Sequence, residues 1–275
     1  MIKYKIENLF VCILFAYIYN TYQMLNLLPT IINFQSRRIQ RQKQCNQAVF
    51  DAIGNGNTKS IYHHSNKNEI DRVLQETGLT IEELIAQCSD NTIMKHILSG
   101  RISIKSSRQG SIDEKLQIDV CANIGKFCNI HIENLPNDAY RPTKMGEILS
   151  KREIKERKIC KSDCLKSFDG KISGQIEGWI FAKVVFKNGG HQDNVFEEAD
   201  HLCRWIQTFQ RLETYILLID TNLFDKYTIL KEKYQNVKNI FITNHVEFQQ
   251  YILDNYGTTS VCLVDDNGCE IDNNK

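Results

Sequence analysis

A chain of 275 residues with 42% apolar and 24% charged side chains has the material for one large α/β core, or for a catalytic domain with a smaller helical partner. That composition excludes disordered, collagen-like and coiled-coil classes, while a formal net charge of +1 argues neither for nor against a nucleic-acid partner. Ten cysteines without a visible paired framework fit a reduced cytoplasm better than secretion.

Residues 8–36 carry no charge, and Leu9 to Tyr19 form an eleven-residue apolar run preceded by Lys3 and Lys5. The run resembles the apolar part of a signal peptide, but no small-x-small cleavage site follows it. It is also shorter than the roughly 20 residues that span a bilayer, unless Tyr22 to Leu28 is counted too. Segment 1–28 therefore reads as a buried helix, or as an extension ahead of a true start at Met24. A membrane anchor is the remaining alternative, and no stable membrane partner is expected.

Residues 29–105 read as a helical region. Ile70, Val73 and Leu74 recur at helical spacing within Glu69–Glu76, and Thr80 followed by Glu83 makes a capping box for Ile81 to Cys88. Ten cations fall in two short runs, Arg37, Arg38, Arg41, Lys43 and then Lys151, Arg152, Lys155, Arg157, Lys158, Lys161. Runs of this kind are most often solvated faces. A third domain, 106–275, follows. Its start is ambiguous: Leu116, Ile118 and Val120 alternate as a strand would, and a helix continuing from Ser111 is equally allowed. Cys121, Cys128, His131, Cys160 and Cys164 are zinc-ligand types, although no Cys-x-x-Cys pair occurs and buried free thiols are the commoner outcome.

Further on, Phe168 to Ile172, a Ser173-Gly174 turn, and the β-prone run from Gln175 to Phe186 predict a hairpin whose first strand ends at Asp169. Lys187-Asn188-Gly189-Gly190 closes it, and Val195, Ala199, Leu202, Cys203 and Ile206 then share one helical face. Tyr215–Asp220 and Asn239–Thr243 predict strands, and Phe224–Tyr234 and Val246–Tyr256 predict helices. That alternation calls for a sheet with at least two parallel strands and helices on its faces. No phosphate-loop or G-x-G-x-x-G sequence is present.

Lys183 stands out because it interrupts the apolar stretch from Ile180 to Phe186. A lysine in such a strand must meet an anion or reach solvent, since an isolated buried ammonium is costly. Phosphodiester hydrolysis needs carboxylates to hold a divalent cation, a group to orient water and a cation near the developing charge. Asp169 and Lys183 supply two of those parts on neighbouring strands.

In their order these residues resemble the PD-(D/E)xK nuclease superfamily, which includes many type II restriction endonucleases. Gly110-Ser111-Ile112-Asp113-Glu114 looks like its G-x-x-x-E helix motif, Asp169 like its first-strand aspartate and Lys183 like its strand lysine. Gln192-Asp193-Asn194-Val195-Phe196 looks like its Q-x-x-x-aromatic helix. The resemblance spans about 90 residues and implies a restriction-endonuclease-like mixed central sheet flanked by helices. One departure is Phe181, which stands where the second acid is expected and shares a strand face with Lys183. Glu177 has the same parity, but six strand residues put it about 20 Å away. The displaced acid of some restriction endonucleases falls here on Glu197, whereas helix phase favours Glu198.

The implied activity is Mg²⁺-dependent cleavage of double-stranded DNA at a specific site by a homodimer. Asp169 and Glu198 or Glu197 would hold the ion, with Glu114 acting through water, and Lys183 and Gln192 would position the attacking water. Ser107, Arg108, Gln109, Lys187 and His191 are the candidate DNA contacts. A repair or recombination nuclease of the same superfamily, or a non-catalytic DNA-binding protein on the same fold, is the alternative.

Overall fold

The computed structural model describes residues 28–105, 110–186 and 193–257. The chain divides into two compact units, one made of residues 32–113 and the other of residues 1–31 with 114–275.

The first unit is helical. It holds α1 (Phe34–Gly54), α2 (Thr58–His64), α3 (Lys67–Thr77), α4 (Ile81–Ser89) and α5 (Thr92–Ile102), and α6 (Gly110–Gly125) begins in it. Each of the first five is started by a side chain that accepts from an otherwise unpaired backbone N–H: Asn33, Asn57, Asn66, Thr80 and Asn91 in turn. The capping box at Thr80 and Glu83 forms as the sequence implies. Val49, Ile53, Ile61, Ile70, Leu84 and Ile102 are buried together as the core of this unit. Part of the first cationic run is committed within it, because Arg38 and Arg41 both grip the fully buried carboxylate of Asp113.

The second unit carries the sheet. Its strands are β1 (Ile130–Asn134), β2 (Tyr140–Pro142), β3 (Ile148–Ser150), β4 (Gly170–Gly174), β5 (Gly178–Val185), β6 (Thr214–Thr221) and β7 (Ile240–Thr243). Its remaining helices are α7 (Lys151–Glu156), α8 (Asp193–Thr208), α9 (Phe224–Tyr234) and α10 (His245–Tyr256). The main sheet is mixed, in the order β1-β4-β5-β6-β7, while β2 and β3 pair separately. Strand β4 runs antiparallel to both of its neighbours, β1 and β5, and β5, β6 and β7 run parallel.

Both faces of β5 and β6 are covered, which is why those strands read as apolar runs broken only by Lys183 and, near the end of β6, by Asp220. Phe181, Val185, Tyr215, Leu217 and Ile219 form one core with Phe196, Ala199, Leu202 and Cys203 of α8 and with Leu230 and Tyr234 of α9. On the opposite face Gln117 of α6 reaches the carbonyl oxygens of Lys183 and Leu218. Of the two readings of residues 111–120, the helix is the one observed; the strand is not formed.

Candidate active site

A strand residue buried on both sides must satisfy every polar atom it carries, and Lys183 does so. Its side chain is 15% exposed, and Nζ donates to Asp169 Oδ2 at 3.0 Å, to Glu114 Oε1 at 3.1 Å and to the Ala182 carbonyl at 2.7 Å. Those bonds use the three donors an ammonium owns. The Phe181 ring adds a fourth favourable face, its centroid 4.8 Å from Nζ. Burial by itself would pull the Lys183 pKa down, but the adjacent Asp169 and Glu114 carboxylates outweigh it and hold the ammonium above its ordinary value.

The two anions arrive from different elements. In the β4–β5 register Gly170 faces Ile180, so the residue before it lies level with Phe181 and Ala182. Asp169 donates its N–H to the Ile180 carbonyl at 2.9 Å and accepts from the Ala182 N–H at 2.9 Å through the same Oδ2 that meets Lys183. This corrects the expectation that Asp169 ends the first strand. It precedes β4, and only that placement brings it to Lys183, because the end of β4 lies toward the turn. Gly170 is required here by close packing. A Cβ there would come within 3.0 Å of the Glu133 carbonyl oxygen and 3.1 Å of Ile118, so the glycine lets α6 and β1 close over the strand.

Glu114 comes from the start of α6, and one turn later Gln117 holds the same lysine by its main chain. Gln117 is fully buried and donates through Nε2 to the Lys183 carbonyl at 3.2 Å and to Asp220 Oδ2 at 2.6 Å. Asp220 in turn pairs with His245 Nδ1 at 2.7 Å and accepts from the His245 N–H at 3.3 Å. Gln117, Asp220 and His245 were not singled out from the sequence. Asp220 carried the signal that exposed Lys183, a charged residue inside an apolar strand, and it sits beside Val184 in the β5–β6 register.

A cleft of about 1010 Å³ opens next to this cluster, lined by Asp169 and Lys183 and, from α8, by Glu198, His201, Arg204 and Trp205. The phase of α8 separates the two candidate acids. Glu198 is 25% exposed, faces the cleft and pairs with Lys166 at 3.3 Å. Glu197 is exposed on another side, beside Asp200, Lys226 and Lys233.

Among the described residues no group of three or more His, Cys, Asp or Glu is gathered as a metal site. Asp169 and Glu114 nonetheless provide the hard oxygen donors that Mg²⁺ prefers, an ion held in many sites by one or two carboxylates with water and substrate phosphate completing its shell. Asp169 Oδ1 makes no hydrogen bond among the described residues and is open to such a role. The zinc-type residues are not assembled: Cys121 and Cys128 are buried, with burial pushing both thiols up, while His131 and Cys160 are exposed. Gln192, Ser107, Arg108, Gln109, Lys187 and His191 lie outside the described residues, as do residues 1–27 of the apolar N-terminal segment. Among the described residues no helix is long and apolar enough to cross a membrane. Searches against family models, characterised proteins and solved structures found no match.

Proposed function

We propose that the chain is a Mg²⁺-dependent deoxyribonuclease of the PD-(D/E)xK kind, acting as a type II restriction endonuclease on a specific double-stranded site. The observation that carries this reading is the Lys183 ammonium held between the carboxylates of Asp169 and Glu114 at the rim of an open cleft. Asp169 and Glu114 would hold the ion, with Glu198 the nearer of the two α8 acids to join them. The bound ion would polarise the scissile phosphate and favour hydroxide over water. Lys183 then has two tasks: to orient the attacking water by hydrogen bonding and to offset negative charge on the phosphoryl oxygens. A lysine kept protonated by two anions suits the second task better than proton abstraction. Homodimerisation on a palindromic site follows from the same reading.

The test is cleavage of unmethylated phage DNA by purified protein with Mg²⁺, with EDTA, and with Lys183→Ala. Discrete bands that need Mg²⁺ and vanish in the variant support the restriction reading. A smear points to a repair or non-specific nuclease of the same superfamily. A second reading, a non-catalytic DNA-binding protein on this fold, draws on Phe181, which is 1% exposed in the core where a second acid is expected. No cutting of any DNA, with binding retained, would favour it.

A further inference from the structure

The cleft beside Lys183 is built from two walls. One is the face of α8 that carries Glu198, His201, Trp205 and Thr208, three or four residues apart and so on one side of a helix. The other comes from the segment between β1 and β4, around β2 with Asp138, Arg141 and Lys144 and just before β4 with Lys161, Lys166 and Asp169. Six cations line it, Arg141, Lys144, Lys161, Lys166, Lys183 and Arg204, against three acids, Asp138, Asp169 and Glu198.

The cations differ in how firmly they are held. Arg141 is 9% exposed and fixed to Asp138 and to the Leu165 carbonyl. Lys183 belongs to the catalytic cluster. Lys144 and Lys161 are 63% and 77% exposed, and their nearest carboxylates, Asp163 and Asp138, are each 3.8 Å away. Pairs that exposed and that long contribute little, so both ammoniums can exchange their partners for phosphate at small cost. The other cations of the second sequence run, on α7 and just after it, are exposed but do not line the cleft. Arg152 and Arg157 there are paired with Glu156 and Glu147.

We propose that this cleft is the track along which the backbone of bound duplex DNA leaves the scissile phosphate, with Lys144 and Lys161 contacting successive phosphates. The proposal rests on the nuclease reading for the identity of the polyanion and adds a site made of residues that the catalytic motif does not contain. Phosphate contacts position a duplex without reading its sequence, so binding through the track is salt-dependent and sequence-independent.

The test uses the full chain with EDTA present, a fluorescein-labelled duplex oligonucleotide of mixed sequence, and fluorescence anisotropy from about 50 to about 300 mM salt. Lys144→Gln with Lys161→Gln, both at exposed positions, should flatten the slope of log K against log salt by about 1.8. Affinity at about 0.1 M salt should then fall about 60-fold, because the electrostatic contribution fades toward 1 M. Lys155→Gln with Lys158→Gln, from the same sequence run but away from the cleft, should bind as the unaltered protein does. An unchanged slope in the cleft variant overturns the proposal, and so does an equal loss in the control pair, which would make the effect one of general charge. A protein that cuts DNA with Mg²⁺ while its slope ignores the cleft variant overturns the track alone. A protein that neither cuts nor binds overturns both the track and the nuclease reading.

Discussion

Replacing Asp169 with Asn and Glu114 with Gln together removes both anions from the Lys183 ammonium while nearly preserving side-chain shape. An amide carbonyl at 169 can still accept from the Ala182 N–H, so the loss centres on a cation whose side chain is 15% exposed. Leaving a buried charge without its partner costs about 3–5 kcal/mol, a large fraction of the stability of an ordinary domain. The pH dependence fixes the mechanism. In the unaltered protein the folded pKa of Lys183 is raised, so its stabilising contribution is fully present at neutral pH and is lost as pH rises from the unfolded value of about 10.4 through the folded one. In the double variant burial acts unopposed and the folded value falls below the unfolded one. The unfolded chain then binds more protons between the two, and stability rises with pH across that window. Urea unfolding from about pH 7 to pH 10 reads both the loss at neutral pH and the sign of the slope. Adding Lys183→Met to the double variant should restore most of the stability, because an apolar side chain leaves no charge to desolvate. A double variant within about 1 kcal/mol of the parent at pH 7, or a triple variant no more stable than the double, would refute the account.

Further outcomes follow from the same geometry. On the proposed nuclease reading, Glu198→Ala should lower Mg²⁺-dependent cleavage about 10- to 100-fold, while Glu197→Ala should cut as the parent does in the same gel assay. Gly178→Ala should cost about 3 kcal/mol in urea unfolding, because the added Cβ would lie 1.9 Å from the Thr214 carbonyl oxygen across the β5–β6 pairing. Gln117→Leu should cost about 1–3 kcal/mol by the same measurement, since Asp220 loses a buried 2.6 Å hydrogen bond.

The second half of the sheet unit was legible because its elements are long and regular. Thr214–Thr221, Phe224–Tyr234, Ile240–Thr243 and His245–Tyr256 fall within a residue of the bounds read from alternating apolar runs. Helix α6 was ambiguous for a physical reason. Its buried side chains are Asp113, Gln117, Ile118, Val120, Cys121 and Ile124, and because two of the six are polar the helical spacing is masked, so that Leu116, Ile118 and Val120 show an apparent period of two. Those polar residues are buried because each has a charged partner from elsewhere in the chain, Arg38 and Arg41 for Asp113 and Asp220 for Gln117, and no local pattern announces such a partner. Strands β1 to β3 were missed because they are five, three and three residues long, too short for periodicity to register. At the site, Lys183 was found because a charge in an apolar strand demands compensation. The same reasoning applied to Asp220 would have reached His245, although the identity of the compensating residue is set by packing.

The absence of an acid at Phe181 has a structural reason in the way charge reaches Lys183. A carboxylate two residues before the lysine would lie on the same face of β5, and that face is sealed at Phe181 by α8, with Phe196, Ala199, Leu202 and Cys203 in one core cluster. An acid there would need a partner of its own inside the core. The aromatic ring fills the volume and still turns a face of negative electrostatic potential toward the ammonium, 4.8 Å away. Full negative charge is delivered instead from outside the strand, by the residue preceding β4, which lines the cleft, and by Glu114 in the first turns of α6. Of the two glutamates on α8, the phase of the helix leaves Glu198 facing the same opening, with Lys166 as its counter-ion. The carboxylates that a metal-dependent hydrolase would need are therefore supplied by elements bordering β5, while β5 itself contributes the lysine and a ring that keeps water from its inner side.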